Sequence, residues 1–325
     1  MITKIAILVS ALLIAYNQLQ STSQQLQEQP VIGIFTQPST FSEYGRENYT
    51  YIAASYVKFL ESGGARVIPI PYEANYTTLD EIFKNINGIL IPGGSTGLKG
   101  PSFYTQRVAY LVNKALKINK EGGWFPIIGI CLGHEVMHYI LSNYSESFLI
   151  DVKGNDKVTR PVNINYRQAY FYSQMNEELY KATLNENLAY YHHIHAVSPS
   201  LYEIAPVLQQ YLRITSTQTD EDGQLFITST DGINMPFYSF QYHPEKNPFE
   251  WTIPANHSVH AIQFSRIHSY QFIQSCRMNS NKFSLDLNKL IFNYNPIQPI
   301  NQNYNQVYIF QRLQAMDDAE FQEQS

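Results

Sequence analysis

Cysteine is nearly absent from this chain: 325 residues carry two, Cys131 and Cys276. Two thiols cannot form a disulfide framework, and a chain of this length can bury a full core without one, as one large domain or two smaller ones. Charge is also scarce, 15% of residues with a net −5, below the usual quarter or so. No run of Lys or Arg stands out, which argues against nucleic acid as a partner. Beyond the N-terminus no stretch is long and apolar enough to span a bilayer. No internal repeat is visible.

What is present begins with a targeting pattern. Lys4 precedes an apolar stretch from Ile5 to Ala15, shorter than the roughly 20 residues of a membrane span. Residues 1–22 are expected to be a signal peptide, cleaved between Ala15 and Ser23, and 23–29 a Gln/Ser-rich spacer. An uncleaved anchor is the alternative, disfavoured by length. Four Asn-x-Ser/Thr sequons, at Asn48, Asn75, Asn143 and Asn256, agree with the secretory pathway. The expectation is a secreted, vacuolar or lysosomal glycoprotein with no membrane contact after cleavage.

Next, strand-like and helix-like runs alternate. Strands are expected at Val31–Phe35, Arg66–Ile70, Gly88–Ile91 and Ile127–Ile130, with helices at 51–60, 79–85 and 104–118. Short connections between them predict an α/β fold with a parallel sheet core. The second half is less regular: short strands near 148–172, a helix at 177–187, strands at 225–230 and 237–241, and a helix at 257–276. A catalytic domain over 30–292 is expected, followed by an extended Asn/Gln-rich tail at 293–325, partly disordered at its end.

The chemistry centres on Gly129-Ile130-Cys131-Leu132-Gly133, at the junction of a short apolar strand and an apolar-periodic helix. A thiol between two glycines there has the layout of a nucleophile elbow, and the helix N-terminus would favour the thiolate. A small buried Cys ending a core strand is the bland alternative. A bridge to Cys276 is arithmetically possible but would consume the nucleophile, so two free thiols are expected, Cys276 being structural. Pro92-Gly93-Gly94-Ser95 ends the preceding strand at the same sheet edge, where ligands gather in open parallel sheets. Its N–H groups, with that of Leu132, would serve an oxyanion. The thiol's partner is sought at His243, directly after a strand, with Glu245 two residues on to hold the imidazole. His192-His193-Ile194-His195 invites a metal reading, but no Cys or carboxylate stands nearby at ligand spacing. A histidine lining a substrate cleft is preferred there, and no metal or other cofactor is expected.

Gly-Ile-Cys-Leu-Gly-His-Glu, Pro-Gly-Gly-Ser, Gln-Tyr-His-Pro-Glu-Lys-Asn-Pro-Phe-Glu-Trp and Tyr51–Val67 resemble the gamma-glutamyl hydrolase family, folate-processing relatives of class I glutamine amidotransferases. The resemblance runs from about Pro30 to Phe310. It implies a three-layer αβα fold with a mostly parallel central sheet and a homodimer. It also implies Cys131 as nucleophile, His243 as acid and base, and Glu245 as third member. Gly94 and Leu132 would form the oxyanion hole, with His193 and Glu135 among the substrate contacts. The implied activity is cleavage of gamma-glutamyl bonds in folate polyglutamates. A glutaminase of the amidotransferase type and a non-catalytic folate-binding glycoprotein are the alternatives. Two residues depart from the family pattern, His134 after Cys-Leu-Gly and Tyr242 before the catalytic His, and both are expected to alter the cleft. Substrate carboxylates call for cations, for which Arg46, Lys99, Arg107 and Arg160 are unranked candidates.

Overall fold

The computed structural model describes residues 26–98, 100, 102–300 and 304–313. The expected signal peptide lies outside the described residues, as do the first residues of the spacer. An eight-stranded sheet forms the centre. Its order across is Arg66–Ile70, Val31–Phe35, Gly88–Ile91, Ile127–Ile130, Phe237–Phe240, Leu225–Gly232, Leu212–Thr219, Asn163–Ile164. The first five strands run parallel, and the last three continue antiparallel.

Alternation of side chains along the parallel strands explains the layers. Ile32, Ile34, Leu90, Ile128 and Ile130 face one core, while Val31, Phe35, Ile89, Ile91 and Ile127 face the other. A strand with apolar residues at every position is buried on both faces, as a parallel sheet between helices must be. Helices Ala54–Ser62, Glu177–Asn185 and Val259–Arg277 supply the first core; Tyr76–Asn85, Phe103–Lys120 and Leu132–Leu141 supply the second. The result is the αβα fold expected from the sequence. Among the described residues no helix is long and apolar enough to cross a membrane.

Two local expectations need correction. The helix expected from Tyr51 begins only at Ala54, because Tyr49–Ala53 is a strand, paired with Gln37–Pro38 on one side and Val307–Gln311 on the other. Cross-strand partners far away in sequence outweigh the helical periodicity. The same pairing carries the fold past the boundary expected at 292. Val307–Gln311 lies antiparallel along Tyr49–Ala53 over all five residues, and Lys58 Nζ donates to Gln306 Oε1 at 2.7 Å.

Several buried histidines are built into the cores as neutral rings. His268 Nδ1 meets the Phe264 carbonyl at 2.7 Å and Nε2 meets the Tyr242 hydroxyl at 3.1 Å. His138 is held likewise by the His134 carbonyl at 2.8 Å and the Tyr202 hydroxyl at 3.2 Å. Burial lowers each from 6.5 to about 4. Burial also lowers His134, His192, His193 and His243. An unfolded chain takes up these protons below about pH 6.5, whereas the folded protein resists them until a lower pH. Glu135 and Asp231, raised by burial to about 8 and about 6, act in the opposite sense, as do Glu61, Glu73, Glu250 and His260, also raised. The lowered carboxylates Asp80 and Asp220 act with the histidines. Urea unfolding is therefore expected to show a midpoint that falls between pH 6.5 and 4.5; a midpoint that rises over that range contradicts this account.

Candidate active site

Three adjacent parallel strands end on one edge and deliver the site. Ile91 pairs with Gly129, and Ile130 pairs with Phe240. The residues that follow, Gly93 and Gly94, Cys131, and His243, therefore emerge side by side. The Cys131 N–H donates to the Phe240 carbonyl at 2.7 Å, and the His243 N–H to the Tyr190 carbonyl at 2.8 Å, which fixes both backbones.

Cys131 adopts φ 54°, ψ −110°, a left-handed conformation that costs a non-glycine residue about 1–3 kcal/mol. The flanking glycines are required sterically. A Cβ on Gly133 would overlap the Ile91 carbonyl oxygen, and one on Gly129 would collide with Gly133 itself and with Met137 Sδ at 2.7 Å. Helix Leu132–Leu141 can thus begin directly against the sheet edge, lifting the thiol into a cavity of about 900 Å³. Cys131, Leu132, Glu135, His193, His243 and Gly94 all line it.

Glu245 sits behind His243, its Oε1 accepting from Nδ1 at 2.8 Å, both side chains buried. With Nδ1 so engaged, Nε2 is the nitrogen left to face the cavity. A Cβ on Gly93 would stand 3.2 Å from Cys131 Cβ and 3.0 Å from His243 Cε1, so thiol and imidazole flank the same glycine. The Gly93 N–H donates to the Tyr56 hydroxyl at 2.8 Å, and that hydroxyl is 3.4 Å from His243 Nδ1. Gly93 is thereby committed, and Gly94, the next residue of the turn, lines the cavity. Gln37 packs beneath Gly94 and accepts from Thr96 Oγ1 at 2.6 Å, while its amide donates to Tyr104 at 2.8 Å. Gln37 and Tyr304, a further lining residue, carried no motif in the sequence, and Tyr56, although within the Tyr51–Val67 segment of the family resemblance, was not marked as a site residue.

The electrostatics differ from the expectation of a ready thiolate. Burial pushes the Cys131 thiol up, and Glu135 and Glu245 add to this; the Leu132 N–H and Lys246 pull the other way. Burial lowers His243 despite the Glu245 carboxylate. Desolvation thus opposes the pull of the helix N-terminus and shifts both the thiol and the imidazole toward their neutral forms. Glu135 is raised by burial to about 8, with Gln241 Nε2 donating to it at 3.0 Å.

The histidine triplet does not converge. His192 pairs with Asp156 at 3.2 Å, His195 with Asp151 at 2.8 Å, and His193 Nδ1 with the His195 carbonyl at 2.7 Å. The two departures from the family pattern are absorbed by the core and do not line the cavity. His134 Nδ1 meets Ser239 Oγ at 2.8 Å, and the Tyr242 hydroxyl joins Tyr172 at 3.0 Å and His268. Of the four cationic candidates, Lys99 lies outside the described residues and the other three do not line the cavity. Arg107 is spent on the Ala74 carbonyl and Tyr76, and Arg160 on the Gly154 carbonyl. Lys246 lines it instead. The sequence motif contained it, but nothing in its position marked it as the cation.

Both cysteines are free. Iodoacetamide is expected to modify Cys131 in the native protein and leave the fully buried Cys276 untouched, as peptide mass mapping would show. The rate should still be climbing at pH 9, because burial raises the thiol; a plateau from pH 5 upward would reveal a preformed thiolate.

The family described as glutamine amidotransferase class-I matches residues 46–260. The chain is 32% identical over 290 residues to gamma-glutamyl hydrolase B of Dictyostelium discoideum, covering 86% of this chain and 83% of that one. It is 33% identical over 293 residues to gamma-glutamyl hydrolase of Rattus norvegicus, with 87% and 90% covered. Gamma-glutamyl hydrolase 1 of Arabidopsis thaliana is 32% identical over 299 residues, with 89% and 85% covered. An elbow thiol beside a carboxylate-backed imidazole, on a chain related over most of its length to these proteins, leads to one assignment: this chain is a hydrolase that belongs to the gamma-glutamyl hydrolase family of the class I glutamine amidotransferase fold.

Proposed function

We propose that this enzyme hydrolyses the gamma-glutamyl isopeptide bonds of folate polyglutamates through a thioester on Cys131. The observation that carries the reading is the convergence of Cys131, His243 and Glu245 at the edge of one large cavity, with Gly93 between thiol and imidazole. As Sγ attacks the scissile carbonyl, His243 Nε2 takes the thiol proton. Glu245 holds Nδ1–H and stabilises the imidazolium that forms. Charge on the carbonyl oxygen is met by the N–H groups of Leu132 and Gly94. The tetrahedral adduct collapses when His243 returns the proton to the leaving glutamate nitrogen. Water then attacks the thioester, His243 acting as base, and the thiol is regenerated.

His193 and Glu135 line the same cavity and are proposed as substrate contacts. The His193 Nε2 is buried without a protein partner, and Glu135 is held protonated by burial, so each offers a neutral polar group. For a secreted glycoprotein the sequons divide. Asn48 and Asn143 are exposed, whereas the Asn75 side chain caps helix Tyr76–Asn85 and the Asn256 amide nitrogen donates to the Asn187 carbonyl at 2.8 Å. We therefore favour Asn48 and Asn143 as glycan sites. A homodimer rests on the family resemblance.

Cys131→Ala and His243→Ala are each expected to lower kcat/KM on pteroyl-triglutamate by at least about 10³-fold, and Glu245→Gln by about 10²-fold or more. Liquid chromatography of the released glutamate and shortened folates reads this out, with free glutamine as a parallel substrate. Cleavage by Cys131→Ala at the wild-type rate contradicts the mechanism; turnover of glutamine in preference to the polyglutamate contradicts the substrate.

A further inference from the structure

Lys246 is 2% exposed, yet its side chain reaches the cavity that holds Cys131. Among the described residues it has no salt bridge. The buried carboxylates nearest it are engaged through one oxygen each, Glu245 Oε1 with His243 at 2.8 Å and Glu250 Oε2 with the Asn305 N–H at 2.6 Å. Burial raises Glu250 and the Lys246 charge pulls it back down, with no ion pair between them. The acidic residues of the cavity wall have other partners as well, Asp156 with His192, Asp151 with His195, and Glu135 with Gln241 Nε2 at 3.0 Å. What surrounds the ammonium is aromatic. Nζ lies 4.5 Å from the Tyr304 ring centroid and 5.7 Å from that of Tyr190. Ring faces hold a cation in place without taking its hydrogen bonds, which are left for an anion to complete.

The Tyr304 wall comes from the C-terminal segment. Tyr304 leads into the strand Val307–Gln311 on Tyr49–Ala53, and Asn305 is fastened by Glu250 and by the Trp251 N–H, which donates to its Oδ1. The segment that resembled a tail in the sequence thus builds part of the cavity.

We propose that Lys246, caged by Tyr190 and Tyr304, is a carboxylate-binding subsite beside the nucleophile. Its ligand is the free α-carboxylate that flanks a scissile γ-glutamyl amide. This deepens the hydrolase reading and rests on it for the identity of the substrate. The chemistry supplies the specificity. In a γ-linked chain the glutamyl α-carboxylate stays ionised next to the bond, whereas in an α-linked peptide the corresponding carboxyl is itself the amide. A fixed cation at that point therefore selects one linkage over the other.

The test compares two alkylating reagents on Cys131 that differ in charge, iodoacetate and iodoacetamide, at pH 8 and low salt. Their rate ratio cancels the thiolate fraction, which Lys246 also influences. The ratio of iodoacetate to iodoacetamide on wild-type protein is expected to exceed that on free glutathione at least about tenfold, and to shrink with added salt. Lys246→Met should bring it down to the glutathione value, and Tyr304→Leu should lower it part of the way. With pteroyl-diglutamate, Lys246→Met should raise KM at least about tenfold.

A wild-type ratio equal to that of glutathione overturns the subsite without needing any variant to fold. So does a ratio, or a KM, that Lys246→Met leaves unchanged. The two readings fail separately. A carboxylate preference in a protein that cleaves no polyglutamate supports the subsite and refutes the hydrolase assignment. Cleavage without the preference does the reverse.

Discussion

Everything at the site depends on how closely helix Leu132–Leu141 approaches the sheet edge. The contact of Gly133 with the Ile91 carbonyl leaves no room for a Cβ, and Gly129 has none to spare beneath it. That approach forces the turn between them into a left-handed conformation, and the residue in the turn is Cys131. Strain of this kind persists only where the surroundings over-determine it. Here the Phe240 carbonyl, the parallel pairing of Ile127–Ile130 on both sides and the buried helix do so.

With the elbow in place, the rest of the catalytic arrangement follows from strand order. The neighbour on one side ends in Gly93 and Gly94, and the neighbour on the other leads to His243. No long-range device is needed to bring residues 93, 131 and 243 together, because adjacent parallel strands end on the same edge. Tyr56 then ties two of the three, accepting from Gly93 and approaching His243. Burial sets the proton inventory: a thiol raised, an imidazole lowered, and a carboxylate at Glu245 that would stabilise the imidazolium when it appears.

The elbow, the glycine turn and His243-Pro244-Glu245 were legible in the sequence because each is a local pattern at a strand end. That the glycine turn and Cys131 share an edge was legible too, since alternating strands and helices imply a parallel sheet with one ligand edge. The parallel placement of Phe237–Phe240 beside Ile127–Ile130 was not, because that strand follows an antiparallel neighbour. Tyr56, Gln37 and Tyr304 were not, because their roles arise from contacts across the fold, and nothing in their neighbouring residues records those contacts. Tyr49–Ala53 was misread for a similar reason: the strand that pairs with all five of its residues lies about 250 residues later in the chain. The pull of the helix N-terminus on Cys131 was visible in the sequence, but the depth of burial that opposes it was not. His134 and Tyr242, conspicuous as departures, turn out to be paired with Ser239 and with Tyr172 and His268 inside the cores.

The central claim is that a covalent acyl-enzyme forms on Cys131. Acid-quenching the enzyme within milliseconds of mixing with pteroyl-diglutamate, followed by peptide mass mapping, tests it most directly. The account predicts a pteroyl-glutamyl acyl group on the peptide that contains Cys131, appearing together with the first equivalent of released glutamate. Turnover with the acyl group on a different residue, or with that peptide unmodified at every quench time, would contradict it.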